Sequence, residues 1–306
     1  MQNIRDQPDT LLRYFNAKIP RNETVTALGI EYTDILTLGE TPSGAKKDYK
    51  KRRARVVSQH AVTVHDTGDK PWDFEVNGFR LIPAVAPIKD FSTHANVRDE
   101  YAPRVFEIVK ESTGANRVFI IGQQVRNEKT GRTVGSSSYA RFAHSDYGPE
   151  YEPLFRRLLA ARYGFTKQEA DSCGICFAGY WAPIDRPAYK DPLCLLDCTS
   201  VNLEKEMVRY VYQYQEPRAS KRPLEQQIPM AAGDAPAIGP IYSPNHRWYF
   251  KPDMSPQEAM LFKQYDCRQG VRARACWHNS FHDKFHDGWV ECPGRRSIEL
   301  RLLLTF

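Results

Sequence analysis

From residue 56 to the C-terminus the chain is cut into short apolar or alternating runs by turn residues. This pattern restricts the fold more than any other feature. Val56–Val64 opens a region, 56–91, that alternates in the manner of strands around an Asn77-Gly78 turn signal. Arg117–Gln124, Cys176–Ile184, Val208–Tyr214, Ile241–Phe250, Val271–His278 and Ser297–Phe306 are further strand-like runs rich in β-branched, aromatic or leucine residues. Helical spacing is confined to a few stretches. Val97, Tyr101, Val105, Ile108 and Val109 predict a helix from Val97 to Ser112, stopped by Gly114. Glu150–Tyr163 is a second, and Thr166 with Glu169 has the form of a capping box. Ser255-Pro256-Gln257-Glu258 predicts the cap of another helix, reaching about Tyr265. Many strands with few helices give an α+β, mainly β chain built on antiparallel sheets. Two facing sheets in a jelly roll are one such architecture.

Residues 1–55 read as an irregular arm with one short helix, ending in the basic run Lys46–Arg55. Residues 56–306 then form a single domain, long enough for one large core. The stretch 216–240, rich in Pro, Ala and Gly, reads as a mobile loop or lid. A net charge of +6 on 306 residues is modest, so solubility explains it as well as an acidic partner does. The basic run is short and isolated, and the expectation is no nucleic-acid partner. No run approaches the ~20 apolar residues of a membrane span, and the first residues lack a signal core. A cytoplasmic protein with free thiols is expected, since seven cysteines are an odd number without small-domain spacing. The oligomeric state is not legible.

The strongest chemical signal is Arg141-Phe142-Ala143-His144-Ser145-Asp146-Tyr147. On an extended chain His144 and Asp146 point to one side, so an imidazole and a carboxylate converge on one ion. A second imidazole is required. His278, near the end of an apolar run, is the candidate. His282 and His286 follow at four-residue intervals, so a different metal site is also open there, although charged neighbours suggest a surface position. Two His and one carboxylate on a face of octahedral Fe(II) leave three positions, two for a 2-oxo acid and one for O2. The far carboxylate of a 2-oxo diacid needs a cation. Arg295, Ser297 and Arg301 share parity near the C-terminus and suit that task. A rival reading takes Cys173, Cys176, Cys194 and Cys198 as zinc ligands, although Cys176 runs straight into a core-like strand. No glycine-rich phosphate loop, nucleophile elbow or HExxH is present.

The order of several motifs resembles the fungal and bacterial non-haem iron hydroxylases and desaturases of secondary metabolism. These motifs are Asn77-Gly78-Phe79, Asp90-Phe91, Thr113-Gly114-Ala115 with Val125-Arg126, His144-Ser145-Asp146-Tyr147, Trp181-Ala182-Pro183, Trp248-Tyr249-Phe250, Phe262–Asp266, His278–Phe281 and Arg295–Arg301. The resemblance spans about 55–306. It implies a double-stranded β-helix (jelly roll) core with flanking helices, and Fe(II) held by His144, Asp146 and His278. It also implies 2-oxoglutarate clamped by Arg295 with Ser297, with Arg301 as the alternative anchor, O2 as oxidant, and a small-molecule substrate that is hydroxylated, desaturated or cyclised. Ala182 stands where the family has Arg, which moves any carboxylate contact elsewhere, with Arg186 a candidate. Arg296 replaces a family Glu. On this reading Arg126, Tyr147, Trp181 and Tyr249 border the substrate. The alternatives are a zinc-stabilised nucleic-acid-binding protein using the 46–55 run and the central cysteines, and a hydrolase with a histidine base.

Overall fold

A computed structural model describes residues 5–15, 57–128, 142–213 and 234–306. The basic run 46–55 and most of 216–240 lie outside the described residues. Twelve strands are seen in this part of the chain. They are β1 (Gln7–Phe15), β2 (Val57–Asp66), β3 (Phe79–Pro83), β4 (Arg117–Asn127), β5 (Ile175–Pro183), β6 (Leu193–Leu196), β7 (Met207–Gln213), β8 (Asp234–Pro240), β9 (Trp248–Phe250), β10 (Glu258–Asp266), β11 (His278–Ser280) and β12 (Arg296–Thr305). The first sheet runs β1-β2-β9-β6-β11 and the second β3-β10-β5-β12-β4, with β7-β8 as a separate pair. Every pairing is antiparallel except β2 with β9.

Period-two alternation assigns the second sheet two different faces. Cys176, Ala178, Tyr180 and Ala182 of β5 and Ile298, Leu300, Leu302 and Leu304 of β12 pack against Val97, Tyr101, Val105 and Val109. The last two belong to helix α1 (Ala102–Thr113). The other face of this sheet, through Trp181, Phe79, Met260 and Phe262, meets Leu193, Leu195 and Tyr249 of the first sheet. Both faces of β5 are therefore buried along its whole length. Two further helices, α2 (Glu152–Arg162) and α3 (Lys167–Ser172), follow β4. The Thr166 capping box forms with both of its hydrogen bonds, which stabilises α3 by about 1 kcal/mol.

At the Asn77-Gly78 turn, Gly78 has φ +84°, and a Cβ there would stand 2.3 Å from Cys198 Sγ. Only glycine meets both demands.

Five segments differ from the sequence expectation. Ser255–Tyr265 is not a helix. The Ser255 N–H does donate to the Glu258 carboxylate at 2.9 Å, and Glu258 N–H to the Ser255 carbonyl at 3.0 Å. These capping-type bonds close a turn, and the following residues become β10, paired to β3 and β5 and almost wholly buried. Burial on both faces outweighs the local cap. The N-terminal arm contributes β1, whose Leu12 and Tyr14 are buried, so residues 7–15 belong to the first sheet and not to a separate arm. Its pattern is hidden because Asp9 at φ +51° shifts the register between Gln7 and Thr10. The expected strand Ile241–Phe250 shrinks to β9, with Pro244 in the intervening turn. Residues 271–277 are irregular and only His278–Ser280 pair. The Val97–Ser112 helix starts instead with a wide π turn, Val97–Tyr101, before Pro103 enters the first turn of α1. Among the described residues no helix is long and apolar enough to cross a membrane.

Candidate metal centre

His144 and His278 come together through their main chains. The His144 N–H donates to the His278 carbonyl at 3.2 Å, and the His278 N–H returns the bond at 2.9 Å. On the other side the Ser145 N–H donates to the Ile238 carbonyl at 2.8 Å. The segment is thus held extended between β11 and β8, which places His144 and Asp146 on one side. One donor atom from each of His144, Asp146 and His278 lies within 4.8 Å of the others.

The electrostatics favour a cation. His144 Nδ1 donates to the Phe142 carbonyl at 2.6 Å, which leaves Nε2 as the ring nitrogen able to face a metal. That Nε2 is 3.9 Å from Asp146 Oδ1. Burial, reinforced by the positive charges of Arg301 and Arg126, holds the His278 imidazole well below the usual histidine range. It is therefore neutral, and its buried Nδ1 has no hydrogen-bond partner. For Asp146 burial alone would raise the pKa. The permanent positive charges beside it, Arg301 first and Arg126 further down, outweigh it and hold the carboxyl at about 2. Two imidazoles, an ionised carboxylate and an orphaned buried nitrogen suit a divalent metal of the two-His, one-carboxylate type.

The wall beside this group is polar, unusually for a sheet interior. Ser297, Glu299 and Arg301 of β12 share the inner parity and sit opposite Arg126, Gln124 and Gly122 of β4. Arg301 Nε is 2.8 Å from Asp146 Oδ2 and 3.5 Å from Glu299 Oε1, so it bridges two carboxylates. Arg126 donates to Gln124 Oε1 at 3.0 Å. Arg295 is buried, hydrogen-bonded to the Asp191 carbonyl and to Ser280 Oγ, with its guanidinium carbon 5.6 Å from the centre of the Trp181 ring. Ser297 Oγ is buried with no hydrogen-bond partner.

Other expected site residues are dispersed. Trp181 and Tyr249 do lie on the inner faces, within one apolar cluster. Tyr147 instead stacks on Phe177 at 5.0 Å, beside Tyr151 and Phe155, and fills the core. Arg186 is bonded to Asp185 at 3.0 Å, and Arg296 contacts the same carboxylate. Ala182 faces the α1 layer, so a longer residue there would point away from the metal group. His282 pairs with Asp287 and His286 with Asp253, which separates both from His278. Among the described residues His144, Asp146 and His278 are the one group of metal-binding type, and the cysteines form none. Cys176 and Cys194 are buried in different sheets. Sequence reading missed Gln264 and Glu299. Gln264 was concealed by the helical reading of 255–265, whereas strand parity alone aims Glu299 inward with Arg301.

Known proteins give a consistent picture. A family model described as Oxidoreductase/YMDC permease-like domain matches residues 30–305. The hydroxylase/desaturase efuI of Hormonema carpetanum is 27% identical over 271 residues, covering 79% of this chain and 82% of that protein. The alpha-ketoglutarate-dependent dioxygenase phiK of a fungal species is 25% identical over 261 residues, covering 80% and 84%. Among solved structures, the iron and alpha-ketoglutarate-dependent endoperoxidase NvfI superposes with a TM-score of 0.74 at 18% identity, over 100% of this chain and 99% of that one. At that identity the likeness concerns the fold.

Proposed function

Because the chain belongs to the family described as Oxidoreductase/YMDC permease-like domain, we propose that it is an Fe(II)- and 2-oxoglutarate-dependent dioxygenase of secondary metabolism. Its substrate is a small molecule, and hydroxylation, desaturation and ring formation are the outcomes open to this chemistry. The convergence of His144, Asp146 and His278 carries the reading. We read the two facing sheets as a double-stranded β-helix, the architecture that keeps such a triad between them.

His144, Asp146 and His278 would hold the iron. With 2-oxoglutarate and O2 the iron supplies an oxidant able to take hydrogen from an unactivated C–H bond. The protein binds, orients and keeps water away. Arg295 and Ser297 are the residues read as gripping the far carboxylate of 2-oxoglutarate. Burial strengthens that charge pairing, and the unpartnered Ser297 hydroxyl is free to donate to an anion. Arg301 is less suited to that task, because it is already engaged by Asp146 and Glu299. Trp181 and Tyr249 supply apolar wall, and Arg126 with Gln124 a polar one.

Anaerobic Fe(II) with 2-oxoglutarate should give a weak visible charge-transfer band, absent in Asp146→Ala and His278→Ala. Retention of the band in both variants would remove the triad. O2-dependent release of succinate identifies the substrate in a screen of small molecules. A zinc-stabilised nucleic-acid binder has no support among the described residues, since their cysteines form no metal-type group.

A further inference from the structure

Gln264 lies in β10 with its side chain buried, bonded to the segment that carries two of the three metal-type donors. Its Oε1 accepts from the Ser145 hydroxyl at 2.6 Å and from the Asp146 N–H at 2.9 Å. Its Nε2 donates to Asp146 Oδ2 at 3.3 Å. The amide orientation is forced, because a backbone N–H demands an oxygen opposite it and so turns the NH2 group towards the carboxylate. The same glutamine therefore grips both the backbone and the side chain of residue 146.

As a result the two oxygens of Asp146 differ. Oδ2 is held by Gln264 and lies 2.8 Å from Arg301 Nε, whereas Oδ1 faces His144 Nε2 at 3.9 Å. We propose that Gln264 is a positioning residue that commits Asp146 to offer Oδ1 alone to the metal. This rests on the iron reading above. A carboxylate free to rock can take two metal positions. One locked at Oδ2 takes a single position and keeps three for the co-substrate and O2. Arg301 supplies charge at Oδ2 but does not hold the backbone. Gln264 fixes the carboxylate relative to its own main chain, which is bridged through His144 to His278. Ser145 keeps Gln264 in place, its one hydroxyl proton shared between Gln264 Oε1 and the Gln264 carbonyl, 2.8 Å away.

Two variants test this. Gln264→Met removes donor and acceptor at nearly constant volume. Gln264→Glu keeps an acceptor for the Asp146 N–H and the Ser145 hydroxyl, but loses the donor to Oδ2. Each is titrated anaerobically with Fe(II) at saturating 2-oxoglutarate, following the visible band, and the thermal midpoint of the metal-free protein is measured alongside. The expected result is a roughly 10–100-fold weaker apparent Fe(II) Kd in both variants, with the metal-free protein still unfolding cooperatively and its midpoint lowered more in Gln264→Met, which strips the acceptor from the Asp146 N–H, than in Gln264→Glu. Wild-type protein that gives no band defeats the iron reading itself. A wild-type band with both variants within about twofold of it overturns the role of Gln264 alone. A collapse of the metal-free fold in both variants assigns Gln264 to the scaffold and overturns the proposal equally.

Discussion

Replacing Gly179 by alanine should strain the molecule next to His278. Gly179 lies on the inner face of β5, opposite Phe262 on β10 and Arg301 on β12. A Cβ at this position would meet three ring carbons of Phe262, at 2.3, 2.6 and 2.8 Å. Non-bonded carbons rest at about 3.5–4.0 Å, so the ring must move by roughly 1 Å or the strands must part. The Phe262 ring is fully buried, and its centroid stands 5.1 Å from that of His278. Its displacement therefore presses on the histidine or on close-packed core. Overpacking of this kind costs about 1–3 kcal/mol. The backbone of Gly179 is not left-handed, so the cost is steric alone. Urea unfolding of Gly179→Ala should show a lower midpoint with unchanged slope. Shrinking the obstructing ring should recover stability. Phe262→Leu should cost less in the Gly179→Ala background than in wild type, with a coupling of about 0.5–3 kcal/mol. A Gly179→Ala variant within about 0.5 kcal/mol of wild type would refute the reasoning.

Other expectations concern the scaffold. Lys263 is buried and reaches Glu75 at 2.8 Å, Asp266 at 2.7 Å and the Ala273 carbonyl at 3.0 Å, while Arg268 also holds Asp266 at 2.7 Å. Lys263→Met should destabilise by less than the ~3–5 kcal/mol of a wholly abandoned buried charge, because Arg268 remains. Urea unfolding that shows no loss would count against the network. Burial would raise the Asp266 pKa, but its bonds to Arg268 and Lys263 lower it below the ordinary carboxylate value. Its contribution is thus complete above about pH 4 and lost as pH falls through the depressed folded-state pKa. Urea midpoints measured across the acid range should fall less steeply in Lys263→Met than in wild type, and equal slopes would contradict this. Tyr14→Phe removes the acceptor of the buried Trp248 Nε1–H, 2.5 Å away, and should cost about 1–3 kcal/mol by calorimetry. An unchanged melting profile would show that the donor finds another partner.

The parts of this architecture that were legible in sequence are those in which local pattern and tertiary burial agree. The β5 and β12 runs, α1 with its Gly114 stop, and the Thr166 capping box are of this kind. β10 was misread because Ser255 and Glu258 make helix-cap bonds, and only the pairing with β3 and β5 shows that an extended chain follows. β1 was missed because Asp9 breaks its alternation at the bulge. At the site, His144 and Asp146 declared themselves by spacing. His278 was proposed from its place after an apolar run, and the resemblance supported it. Tyr147 shares a motif with them, yet its ring packs on Phe177 because successive side chains on an extended segment turn to opposite sides. Gln264 carries no signal in sequence, since its contacts come from residues 118 and 119 positions away.

The alternation along β12 also bears on how such a protein can change. Ile298, Leu300, Leu302 and Leu304 bind the helical layer, while Ser297, Glu299 and Arg301 turn towards the metal group. Scaffold and chemistry thus occupy interleaved positions of one strand and answer to separate constraints. Exchanges at Ser297 and Glu299, and at Arg126 and Gln124 facing them on β4, can change the polar inner wall while the apolar seam beneath α1 stays intact. That wall can then be altered stepwise, one residue at a time, without dismantling the layer that holds the sheet together.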